Sequence, residues 1–183
     1  HVGQPADAAH GVAVADAGEC INDYPGIDAE VREGLLAIAK LDPNFDPDHF
    51  VRGAKQAYEM IVTAFAEGNR KLLKSLLSRD VYDGFERAIA EREARGEQID
   101  QSFVGINKAN IVESEVRSGI ASVTVRFVSQ LISATRDKAG AILQGDPQRI
   151  KEVTDIWTFR RDISTPRARE NPNWELVATQ SPA

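Results

Sequence analysis

Hydrophobic periodicity changes once along this chain, near Gln98, and that single switch bounds what it can fold into. Before it, apolar residues recur every three or four positions, as on amphipathic helices; after it they alternate, as on half-buried strands. Helices gathered before a run of long strands make an α+β domain, with the helices packed on one face of a curved four-stranded antiparallel sheet. Such a half-cone leaves an apolar cavity between helices and concave face, a default site for a small molecule or a partner.

Local signals place the helices. Asp28 and Glu30 open one that carries Val31, Leu35, Ile38 and Ala39 on a single stripe. Asp46 as N-cap, Pro47 at the first helical position and Asp48 in the first turn open the next, with Phe50, Ala54, Ala57, Tyr58, Ile61 and Phe65 along one side. Gly68 ends it, Asn69 caps a short helix in RKLLKSLL, and Ser78 caps another that stops at Gly96. The run ERAIAEREAR in that last helix reads as a solvated face whose charges pair three or four residues apart.

Ser118 and Gly119 turn SFVGINKANIVESEV into IASVTVRFVSQLISAT, a hairpin. In the second run Ala121, Val123, Val125, Phe127 and Leu131 share the core face, while Ser122, Thr124, Arg126 and Gln130 populate the other. GDP at Gly145 to Pro147 marks a loop before IKEVTDIWTFRRDI, and NPNWELVAT supplies the fourth strand. His1 to Pro25 is rich in Ala, Gly, Asp and Pro and holds neither period, so it reads as linker. The expected organisation is a flexible linker over 1–25, an amphipathic helix within 26–44 and a domain over 45–180.

A net charge of −6 argues against nucleic acid, because the phosphate backbone needs a basic face. No window approaches the roughly 18 consecutive apolar residues of a membrane-spanning helix. Cys20, the one cysteine, cannot form an internal disulfide. The chain opens with His1 rather than Met and reads as a processed or truncated piece, with any signal or anchor ahead of it.

Catalytic signals are sparse. His1 and His10 fall in the linker and His49 in a first helical turn that faces water, so no histidine is placed as a general base. Neither metal-ligand spacing nor a nucleophile elbow, P-loop or dinucleotide fingerprint occurs; no metal, cofactor or catalytic residue is expected. Asp155 alternates in phase with Val153 and Trp157 and so points inward, where Arg126, Arg160 or Arg161 would pair with it. A structural ion pair or a rim position is weighed there against the general base of an isomerase-like or dehydratase-like enzyme. Tyr58, Phe65, Phe127 and Trp157 are the candidate lining of an apolar pocket, open also to a lipid-carrier reading; plain core is the competing reading.

Five strings occur in order: GAKQAYEMIVTAFAEGN from Gly53, LLSRDVYDGFERAIAERE from Leu76, VRFVSQLISATRD from Val125, EVTDIWTFRRD from Glu152 and NPNWELVAT from Asn171. Together they resemble the Tim44-like domain family, known from the C-terminal domain of the mitochondrial inner-membrane import-motor adaptor and from alphaproteobacterial TimA-type proteins. The resemblance covers roughly Phe45 to Thr179. It implies a cone-shaped α+β fold like that of nuclear transport factor two, an apolar pocket, no chemistry, and a place at an inner membrane. In the mitochondrial members, helices at the start of the domain associate with anionic lipid. Their counterparts here make Val31, Leu35, Ile38 and Phe50 the candidate membrane-facing or partner-facing side chains. The implied function is a non-catalytic adaptor or scaffold at a bacterial inner membrane, held by an anchor ahead of His1, with a membrane-protein partner and anionic lipid as a second one.

Overall fold

The computed structural model describes residue 18 and residues 20–181. Among them, α1 (Ala29–Leu41), α2 (Pro47–Glu67), α3 (Arg70–Leu76) and α4 (Arg79–Ala94) precede a sheet of β1 (Gln98–Arg117), β2 (Ile120–Arg136), β3 (Ile142–Gly145), β4 (Lys151–Asp162) and β5 (Glu175–Gln180). A short helix, α5 (Pro166–Arg169), joins β4 to β5. This is the α+β layout read from the periodicity, consistent with a fold like that of nuclear transport factor two.

The helix boundaries follow their caps. Asp28 accepts from the Val31 amide, Asp46 from Asp48, Asn69 from Leu72 and Ser78 from Val81, each satisfying an amide that its helix leaves open. Gly68 ends α2 in the left-handed region at φ 73°, where a Cβ would be strained.

The sheet is antiparallel throughout, in the order β1-β2-β4-β5, with β3 alongside the end of β2. β3 is a fifth strand beyond the four expected, ending at Gly145, where the expected loop begins; its four exposed residues are too few to show alternation. The β1–β2 turn puts Ser118 and Gly119 both at positive φ, as a two-residue hairpin with right-handed twist requires. Three register shifts in β1, around Val104, Asn107 and Val112, bend this 20-residue strand.

The expected linker ends before residue 25. Residues 20–23 are helical, Ile21 is fully buried, and the Arg32 guanidinium donates to the carbonyls of Ile21, Asn22 and Tyr24. Composition hid this, because one apolar residue and a clamp 11 positions away leave no period to read. The rest of that linker expectation lies outside the described residues.

Candidate functional site

Three of the four expected pocket residues meet in one buried aromatic cluster. Tyr58 from α2 stacks on Phe127 from β2 with ring centroids 4.4 Å apart, and Trp157 from β4 lies 4.6 Å from Tyr58. All three are buried. Each aromatic ring removes roughly 150–250 Å² from water, so rings converging from helix and sheet pack solid in preference to leaving a void. Phe65 sits elsewhere, edge-on to Phe85 at 5.3 Å and beneath the Arg92 guanidinium at 5.2 Å. Tyr58, Phe127 and Trp157 belong to the buried core, and Phe65 packs against it.

Asp155 does point inward, as its phase predicts, but its partner is not an arginine. Tyr58 donates to its Oδ2 at 2.6 Å, and Ser129 Oγ stands 2.9 Å from the Tyr58 hydroxyl. Burial first, and the bond to Asp155 second, raise the Tyr58 pKa well above its ordinary value. Arg126 is exposed, Arg160 pairs with Glu175, and Arg161 turns to Asp42 at 2.8 Å, a buried ion pair. Arg161 also donates to the carbonyls of Arg169 and Asn171, fixing the segment before β5.

The side chains expected to face a membrane or partner face inward. Val31, Leu35, Ile38 and Phe50 are buried in the chain's own core. An amphipathic stripe specifies that a helix covers something, and here α1 covers β1, where Ser114 Oγ donates to the Val31 carbonyl at 2.6 Å. The charged run in α4 is also not self-contained: Glu86 and Glu93 both reach Arg70 on α3, and Arg92 is buried, donating to the Phe65 and Ala66 carbonyls at the end of α2. The bond from Arg70 holds the Glu93 carboxyl below its ordinary pKa.

An open apolar groove lies on the other side of α2. It encloses about 440 Å³ between α2, α3 and the segment before β5. Gly53 and Ala57 form a low floor, Leu76 and Trp174 stand as walls, and Met60, 41% exposed, lies along the rim. Trp174 is held edge-on to Phe50 at 4.7 Å. A second recess shares Gln56 and Met60 and continues past Glu59, Thr63 and Glu67, so the apolar strip follows α2 from His49 to Glu67. At 1.5 Å per residue that is roughly 27 Å. Sequence reasoning missed this site: Gly53 and Met60 lie off the core stripe, Ala57 reads as part of it, and only a tertiary contact brings Trp174 to them. A separate polar recess of about 470 Å³ lies between the start of α1 and the sheet, lined by Asp28, Glu30, Glu113, Glu115 and Thr124.

Residues 31–181 match the Tim44-like domain. The chain belongs to the Tim44-like domain family. It is 24% identical over 134 residues to the mitochondrial import inner membrane translocase subunit TIM44 of Mus musculus, covering 73% of this chain and 30% of that protein. TIM44-1 of Arabidopsis thaliana is 25% identical over 144 residues, covering 76% and 30%. The large ribosomal subunit protein mL45 of Drosophila melanogaster is 25% identical over 153 residues, covering 79% and 40%. The Tim44-like chain thus spans about 30% of the length of the translocase subunits it matches. Among solved structures, the intermembrane space region of the chloroplast protein ARC6 aligns with a TM-score of 0.49 at 12% identity, covering 73% of this chain and 96% of that one. No helix among the described residues is long and apolar enough to cross a membrane.

Proposed function

We propose that this domain is a non-catalytic adaptor associated with an inner membrane, and that it holds a protein partner in the groove along α2. The groove carries the reading. An elongated apolar strip with a low floor admits a helical or extended segment along its length, which is how groove-type peptide sites work. Met60 on its rim can adapt to more than one apolar side chain. The relation to inner-membrane translocase subunits supplies the setting.

The interior supports the same reading over a small-molecule enzyme or a lipid carrier. Tyr58, Phe127 and Trp157 pack on one another in the buried core between α2 and the sheet, and the Asp155 carboxylate is already engaged by Tyr58.

Site-specific photocrosslinking in the native membrane tests it. A crosslinker at Met60 should give discrete protein adducts that one at the exposed Glu91 of α4 does not, and Ala57→Asp should abolish them. Identical adducts from both positions, or adducts indifferent to Ala57→Asp, would overturn the groove as the partner site.

A further inference from the structure

We infer that the occupant of the groove along α2 is a single amphipathic α-helix, with its apolar side on the groove and its Lys or Arg residues confined to the end that lies by Glu59 and Glu67. The inference rests on the groove reading and adds the form and the charge of the guest.

Spacing on α2 gives the form. His49, Gly53, Gln56, Met60, Thr63 and Glu67 line the two recesses and recur at intervals of four, three, four, three and four. This is the seam on which a second helix packs, each helix seating side chains in the gaps of the other. It is separate from the stripe of Phe50, Ala54, Tyr58 and Ile61 that α2 turns to its own core. A Cβ at Gly53 would meet nothing within 4 Å, so a guest side chain has room to sit against the helix backbone there. The seam runs roughly 27 Å, about five turns of a guest helix.

Hydrogen bonding disfavours an extended guest. The first recess is walled by α2, α3 and the segment from Pro172 to Trp174, and a helix backbone bonds to itself. Phe159 also lines it, but its strand is paired on both sides there, with Val123 of β2 and Leu176 of β5. No ladder is offered, so the amides and carbonyls that a strand turned toward this floor would stay unpaired against apolar side chains. A helix arrives with its backbone already bonded.

Charge changes along α2. From Pro47 to Gln56 it carries two cations, Arg52 and Lys55, against one carboxylate, Asp48; from Ala57 to Glu67 it carries Glu59 and Glu67 and no cation. Both glutamates line the second recess, and neither forms an ion pair among the described residues. Lys71 and Lys74 flank Leu72, Ser75 and Leu76, by which α3 lines the recesses, and line neither themselves. Guest cations are therefore favoured beside Glu59 and Glu67 and opposed beside Arg52 and Lys55.

Photocrosslinkers placed singly at His49, Gln56 and Thr63, in the native membrane, test this. These seam positions are seven residues, roughly 10.5 Å, apart along α2. Mass spectrometry of the adducts should place successive capture sites about seven residues apart on one partner segment; an extended segment would place them about three apart. That segment should carry Lys or Arg by the site reached from Thr63 and none by the site reached from His49. Glu59→Lys with Glu67→Lys, at exposed positions, should cut the Thr63 adduct on the order of tenfold, with thermal melts showing the variant folded. Capture sites about three apart, cations spread along the whole segment, or an adduct indifferent to the charge reversal would overturn the inference while leaving the groove as the partner site. Met60 adducts that ignore Ala57→Asp would overturn the groove reading, and this inference with it.

Discussion

Tyr58 on α2 donates its hydroxyl to Asp155 on β4 at 2.6 Å, across 97 residues of chain. Ser129 on β2 stands 2.9 Å from the same oxygen, so one polar knot ties the helix layer to two strands inside an aromatic core. Tyr58→Phe keeps the ring stacking and removes the hydroxyl, leaving the Asp155 carboxylate and the Ser129 hydroxyl short of a partner. Stranding a buried polar group costs roughly 1–3 kcal/mol. The urea midpoint should fall accordingly with the slope unchanged; a midpoint equal to wild type would mean the bond adds nothing.

The same tyrosine gives a pH signature. Burial and the bond to Asp155 raise its pKa above the ordinary value of 10.0, so the folded state holds this proton more tightly than the unfolded state does. Its contribution is therefore fully present below pH 10 and is lost as pH rises from there through the folded value. The stability difference between wild type and Tyr58→Phe should shrink above that pH. Parallel denaturation series for the two proteins measure it, and a difference that stays constant would contradict the linkage.

How far the sequence carried depended on whether a feature is local. Caps at Asp46, Asn69 and Ser78, the turn at Ser118 and Gly119, and the core face of β2 are each written within a few residues, and the structure bears them out. Partners were not legible. A stripe such as Val31, Leu35 and Ile38 looks the same whether it meets a bilayer or a strand, and only the fold brings β1 under it. Likewise the phase of Asp155 gave its direction, while Tyr58 as its partner and Trp174 as a groove wall depend on how separate elements pack. Exposure of Ile142, Leu143 and Ile150 was equally hidden, because apolar residues are expected inside until burial is known.

Asp42 and Arg161 form the best-buried ion pair among the described residues, joining the end of α1 to β4. Removing one partner strands the other charge, which costs about 3–5 kcal/mol, whereas replacing both by apolar residues restores much of that loss. Asp42→Leu alone should therefore destabilise strongly, and Asp42→Leu with Arg161→Met should be more stable than either single variant. Arg161→Lys should not rescue, since the guanidinium also holds the Arg169 and Asn171 carbonyls and an ammonium cannot match that fork. A chemical-denaturation cycle over the four proteins checks the coupling; strictly additive losses would show that the pair acts as two independent groups.

Gly34 sets two effects of opposite sign against each other. It lies within α1, where replacing glycine by alanine ordinarily favours the helix by about 1 kcal/mol. Here a Cβ would overlap both the side-chain and the backbone oxygen of Ser114, because α1 rests directly on β1 at this point. Backbone cannot swing aside as the tip of a flexible side chain can, so α1 must lift or β1 must shift, at a cost of roughly 1–3 kcal/mol or more. Gly34→Ala should lower the melting temperature despite its better helix propensity. Adding Ser114→Ala should recover only part of the loss, because the backbone oxygen remains in the way and the bond to the Val31 carbonyl is gone as well. A melting temperature raised by Gly34→Ala would mean that α1 sits further from the strand than this packing requires. The α1 stripe would then have room to leave the core, reopening Val31, Leu35 and Ile38 as a surface for a membrane or a partner.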